Sequence, residues 1–171
     1  MDAATRKAKL EELRTNQLNQ KMTGIPLRYK GSTREEIVWR IPLDYLIYNK
    51  YNGRIGSDVL SYEKQNGKLN AELDSDREII EKFLYESKID RNKTTMESLL
   101  EIGQQRYGIV TSDGIIVDGN RRAMLLNRLF HKREDLGYTY AQVEQCQYFL
   151  AIILPDDAEE KDIQQLETIY Q

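Results

Sequence analysis

Apolar positions along this chain follow two rhythms. Dense β-branched and aromatic runs at 37–41, 109–111, 115–117 and 147–154 are short and bounded by turn residues, so they predict strands. Elsewhere the apolar spacing changes to three and four. Ile79, Ile80, Phe83 and Leu84 share one face, as do Leu125, Leu126, Leu129 and Phe130, which predicts helices. Ser75 with Glu78, and Thr94 with Glu97, have the spacing of capping boxes, so a helix is expected to open at each. Gly103 closes the second of these. Val59, Leu60 and Tyr62 predict a short helix inside a weakly patterned surface stretch over 55–73. Another short helix is expected within 138–145. Pro155, Asp156 and Asp157 are expected to cap a last one, with Ile163, Leu166 and Tyr170 on one face. The sum is an α+β fold: a small mixed sheet with the helices from Ser75, Thr94 and Asn120 packed around it. The run at 147–154 is the most apolar and is expected near the middle of that sheet.

Residues 2–22 contain almost no helix breakers and only a thin apolar stripe of Leu10, Leu13 and Leu18. They predict a polar helix, weakly docked or turned to a partner, and ended by Gly24, Ile25 and Pro26. The expected organisation is therefore an N-terminal polar helix over 1–24 and one domain over 25–171. The last helical pattern is still running at Gln171, so the chain reads as the N-terminal part of a longer protein.

Composition narrows the chemistry. A chain of 171 residues can bury a sizeable core. Its net charge of −3 argues against a broad electrostatic footprint for nucleic acid and leaves room only for a local basic patch. Cys146 is the single cysteine and His131 the single histidine, which removes internal disulfides and thiol or imidazole zinc sites. The chain shows neither an apolar run of membrane-spanning length nor a charged-then-apolar leader, so a cytoplasmic protein with no membrane partner is expected.

The stretch 108–130, GIVTSDGIIVDGNRRAMLLNRLF, carries the strongest signal. Asp113 and Gly114 between two β-branched runs mark a hairpin, because glycine takes positive φ without steric cost. The second strand runs into Asp118, Gly119, Asn120, Arg121 and Arg122, where the helical pattern starts. Free amides at a helix start, a glycine that allows close approach and two guanidinium forks suit an anion. The same residue types also serve as plain surface charge, and the sequence leaves open which arginine faces a carboxylate.

The order of hairpin, DG-x-R-R and apolar helix resembles the ParB/sulfiredoxin-like superfamily. IPLDYL at 41–46 is similar to the opening box of ParB-like domains, followed by an N-x-R stretch from Asn49 to Arg54. DGNRR is also similar to the DGQQR and DGQHR boxes of DNA-restriction and DNA-modification proteins. The resemblance spans 38–171 and is specific around 118–122. It implies a nucleoside triphosphate, ATP or CTP, held by Asp118, Gly119, Asn120, Arg121, Arg122 and Arg54. It implies magnesium with Glu167, which matches the glutamate of an E-N-x-x-R box in which Thr168 and Gln171 depart from the pattern. It further implies DNA contacted through other parts of a full-length protein, and the sequence leaves open whether the chain forms an oligomer. Asn120 stands where ParB-like domains carry glutamate and sulfiredoxins carry cysteine. Sulfiredoxin chemistry is therefore not expected, and binding is expected to exceed hydrolysis. The alternative is a DNA- or protein-interaction domain that keeps the fold without nucleotide.

Overall fold

The computed structural model describes residues 1–170. Helix α1 (Ala3–Arg14) leads into strands β1 (Gln20–Tyr29) and β2 (Ser32–Pro42). Helices α2 (Gly56–Asn66), α3 (Asp74–Ser87) and α4 (Ile89–Ile102) follow, then strands β3 (Gly108–Val110) and β4 (Ile116–Asp118). The chain continues through α5 (Asn120–His131), the single turns α6 (Arg133–Leu136) and α7 (Tyr140–Val143), β5 (Tyr148–Ile153) and α8 (Glu160–Tyr170). The strands form one mixed sheet in the order β1-β2-β5-β3-β4, with β3 and β5 parallel and the other pairs antiparallel. The fold is α+β, as expected, and β5 holds the central position.

Alternation along the strands explains how the sheet is covered on both sides. Trp39, Ile41, Val110, Phe149, Ala151 and Ile153 join the core shared with α3, α4 and α5. Their neighbours Val38, Ile109 and Ile152 face the other way, into a smaller core closed by Leu166 of α8. A strand buried on both faces has no polar side to show, which is why β5 reads as a continuous apolar run.

Several boundaries differ from the sequence pattern. The expected helix over 2–22 stops at Arg14, and Met22, Gly24 and Pro26 lie in β1. Proline is admitted there because β1 is an edge strand, where an outward-facing position needs no N–H donor. The first helix is also firmly docked, with Leu10 and Leu13 buried and the Arg6 side chain only 2% exposed. Ser75 and Thr94 do not cap. Helix α3 opens one residue earlier, at Asp74, and α4 at Ile89, directly after Lys88, so Thr94 sits inside a longer helix. Gly103 ends α4 as expected, with φ +77° and its amide on the Leu99 carbonyl. At the last helix Asp157 accepts from the Tyr29 hydroxyl instead of capping, and Asp162 takes the Glu159 amide.

Asp162 ties α8 to the β1–β2 hairpin. Its carboxylate accepts from Lys30 Nζ at 2.7 Å and from the Glu159 amide at 2.9 Å. The Lys30 bond first, and the amide second, hold its pKa below the ordinary carboxylate value. A depressed carboxylate contributes stability that is complete above its unfolded pKa and is lost as pH falls through the folded one. Asp162→Asn is therefore expected to flatten the fall in denaturant midpoint below about pH 4. Acid limbs of equal steepness in both proteins would contradict this pairing.

Candidate functional site

The site is assembled at the point where β4 becomes α5. The Ser112–Gly114 turn brings β4 back against β3, with the Thr111 hydroxyl accepting from the Ile115 amide at 2.9 Å. The chain then turns through Gly119, whose φ of +110° lies in the left-handed region. A Cβ at this position would stand 2.6 Å from Phe149 Cζ and 3.3 Å from Arg122 Nη2, so only glycine fits. The Ala123 amide donates to the Gly119 carbonyl at 2.9 Å and starts the helix. The three amides before it, on Asn120, Arg121 and Arg122, have no acceptor within the helix by geometry and lie at its positive end.

Asn120 is buried and does not face outward. Its Oδ1 accepts from the Asn49 amide at 3.1 Å, and its Nδ2 donates to the Asn49 carbonyl at 2.7 Å. Asn49 in turn donates through Nδ2 to Glu167 Oε1 at 3.0 Å. The buried Asn52 donates to the Val117 carbonyl at 3.1 Å. Three asparagines thus stitch the segment 49–55 onto β4, α5 and α8.

That stitching carries Arg54 into the field of Arg121, together with two cations from the α4 end, Lys88 and Arg91. The Lys88 ammonium is held below its ordinary pKa by Arg54 first, then by burial, Arg91 and Arg121, with Asp90 opposing. Burial lowers the Arg121 pKa most, followed by Arg54 and Arg91. Arg121 Nη2 donates to the buried Asn92 Oδ1 at 2.8 Å, while its own Nε is buried without an acceptor. Among the described residues no carboxylate lies within 4.0 Å of the charged nitrogens of Arg54, Lys88, Arg91 or Arg121.

The second arginine of the motif turns elsewhere. Arg122 Nη2 lies 3.4 Å from Asp118 Oδ2, and its Nη1 donates to the Arg106 carbonyl. Arg106 stands 3.8 Å from the same Asp118 oxygen and donates to the Tyr170 carbonyl at the end of α8. Burial raises the Asp118 pKa, with Arg122 and then Arg106 pulling it down. Burial also raises Glu167, against its bond from Asn49.

Arg54, Asp118, Gly119, Asn120, Arg121, Arg122 and Glu167 therefore gather around one helix start. Of these, Arg121 and Arg54 belong to the unpaired cationic cluster, and Arg122 is the arginine committed to a carboxylate. Sequence patterning did not single out Lys88, Arg91, Asn92 or Asn52. One local signal was available: Lys88 and Arg91 sit at the start of α4, where the helix dipole disfavours positive charge. Thr168 bonds the Gln164 carbonyl of its own helix, and Gln171 lies outside the described residues. Among the described residues no group of three His, Cys, Asp or Glu could hold a metal ion by itself. Compared with known proteins, the chain matches no family model, no curated protein and no solved structure.

Proposed function

We propose that this chain binds a nucleoside triphosphate, ATP or CTP, with its phosphates on the start of α5, as part of a DNA-associated protein of restriction, modification or segregation type. One observation carries the reading: Arg121 reaches the buried Asn92 of α4 with its own Nε–H unmatched, and Arg54, Lys88 and Arg91 act on the same space, offset by Asp90 and, for Arg54, by Asp118. Repulsion within such a cluster destabilises a fold, and a multiply charged anion relieves it. The free amides of α5 and the Gly119 turn add donors aimed at the same anion. Asn120 acts by position, fixing the segment that delivers Arg54.

Magnesium fits this donor set only as a passenger on phosphate oxygens. Asp118 is faced by two guanidiniums, which leaves Glu167 as the carboxylate that would contribute an oxygen. The ion would neutralise phosphate charge there. Asp118 is shielded by Arg122, and Glu167 is bonded by Asn49 at Oε1 and would give its other oxygen to the ion, which leaves no carboxylate to orient a water, so binding is favoured over turnover.

Calorimetry with each triphosphate in the presence of magnesium tests the reading. A charged hydrogen bond contributes about 1.5–3 kcal/mol, so Arg54→Ala and Arg121→Ala should each weaken binding by about ten- to a hundredfold. Affinity unchanged in both variants removes the site. Tight duplex binding at physiological salt by a chain that ignores nucleotide would favour an interaction domain instead.

A further inference from the structure

A second recess lies away from the α5 start, in a cleft of about 680 Å³ between α3 and α5. That is within the ordinary size of small-molecule sites, about 300–1,000 Å³. Its floor is apolar and buried, made by Leu43, Leu46, Ile116 and Met124. A fixed polar wall stands beside it. The buried Tyr48 hydroxyl donates to Glu81 Oε2 at 2.7 Å and accepts from Asn127 Nδ2 at 2.8 Å.

Arg128 of α5 also lines the cleft, with its guanidinium carbon 4.4 Å from the centre of the Tyr85 ring. Among the described residues it has no ion pair, and its Nε–H is buried without an acceptor. Lys82 and Lys132 border the same space, exposed and likewise without ion pairs. The dipole at the C-terminus of α5 explains a cation in this turn. It does not explain a guanidinium laid on an aromatic ring with its fork unanswered and a buried donor unmatched. Asp44, Glu78 and Glu86 also border the cleft, so a multiply charged anion is disfavoured there. One carboxylate on an apolar body suits the two features left unmatched: the Arg128 fork takes the carboxylate, and the floor takes the body.

We propose that the α3–α5 cleft is a second ligand site, for a small molecule with an apolar body and a single carboxylate held by Arg128. Amide chemical-shift mapping of the whole chain tests it, with phenylbutyrate as the probe and phenylbutanol as the uncharged control. Phenylbutyrate should give saturable shifts confined to α3 and to residues 124–132, and should bind at least about tenfold tighter than the alcohol. Arg128→Met, which keeps the packing on Tyr85, should abolish that preference while leaving the response of residues 119–122 to triphosphate intact. Equal binding of acid and alcohol by the unaltered chain overturns the proposal whether or not the variant folds. Shifts centred on 119–122 also overturn it, because the carboxylate would then be using the other anion site. So does binding of an acidic peptide in the cleft without any binding of phenylbutyrate, which would make the cleft a docking groove for a protein.

Discussion

Gly119→Ala should lower the stability of this protein by about 3 kcal/mol. Left-handed backbone costs a non-glycine residue roughly 1–2 kcal/mol. The new Cβ must also push against Phe149 Cζ, which it would approach to 2.6 Å. Overpacking of this kind adds about 1–3 kcal/mol, and Phe149 is fully buried with no room to retreat. For a chain of this length the melting temperature should fall by about 6–12 °C. Phe149→Leu trims the atom that is struck, so the double variant should be less destabilised than the two single costs predict, by about 1 kcal/mol. Additive losses would place the cost of Gly119→Ala in the backbone alone. An unchanged melting temperature would show that the turn tolerates a side chain, and the close approach described above would be wrong.

Arg6→Met should cost about as much, for a different reason. The Arg6 side chain is 2% exposed. Its Nε donates to the Asp113 carbonyl at 2.8 Å, and its Nη1 to the Met1 carbonyl at 2.7 Å and Glu72 Oε1 at 3.1 Å. Methionine fills much of the volume and satisfies none of these acceptors. Leaving the half-buried Asp113 carbonyl unpaired costs about 1–3 kcal/mol, while the exposed Met1 and the partly exposed Glu72 contribute little because water can replace their partner. A total of about 2–3 kcal/mol corresponds to a drop in urea midpoint of about 1–2 M. Hydrogen exchange should show α1 losing protection before α5 does, since Arg6 pins that helix to the β3–β4 turn. A midpoint within error of the parent would mean that α1 is held by Leu10 and Leu13 alone.

The elements that the sequence made plain are those whose pattern is local. Asp113–Gly114 between β-branched runs could hardly be anything but a hairpin, and Leu125, Leu126 and Leu129 could only be one helix face. Strand β1 was hidden because Gly24 and Pro26 end most elements, and only a position at the sheet edge excuses them. The openings of α3 and α4 were misplaced for a related reason. Ser75 and Thr94 have good capping spacing, but tertiary packing extends both helices towards their N-termini past the residues that would have capped them. The motif DGNRR drew attention to the right helix start. It could not say that Arg122 would turn to Asp118, since that depends on Arg106 and on the end of α8 meeting there. Lys88 and Arg91 were illegible as site residues because they arrive from α4, more than twenty residues away in sequence from α5.

Strand order has a consequence for how the chain emerges during synthesis. Strand β2 pairs with β5, Val38 opposite Ile152, so its inner edge waits for a partner more than a hundred residues downstream. At roughly 5–20 residues per second, that edge leaves the ribosome about 5–20 s before β5 can cover it. Trp39 and Ile41, buried in the finished fold, are unprotected during that interval. The β1–β2 hairpin is thus the segment of the nascent protein that holdase chaperones would be expected to engage, and slowing translation between β2 and β5 should lengthen that engagement.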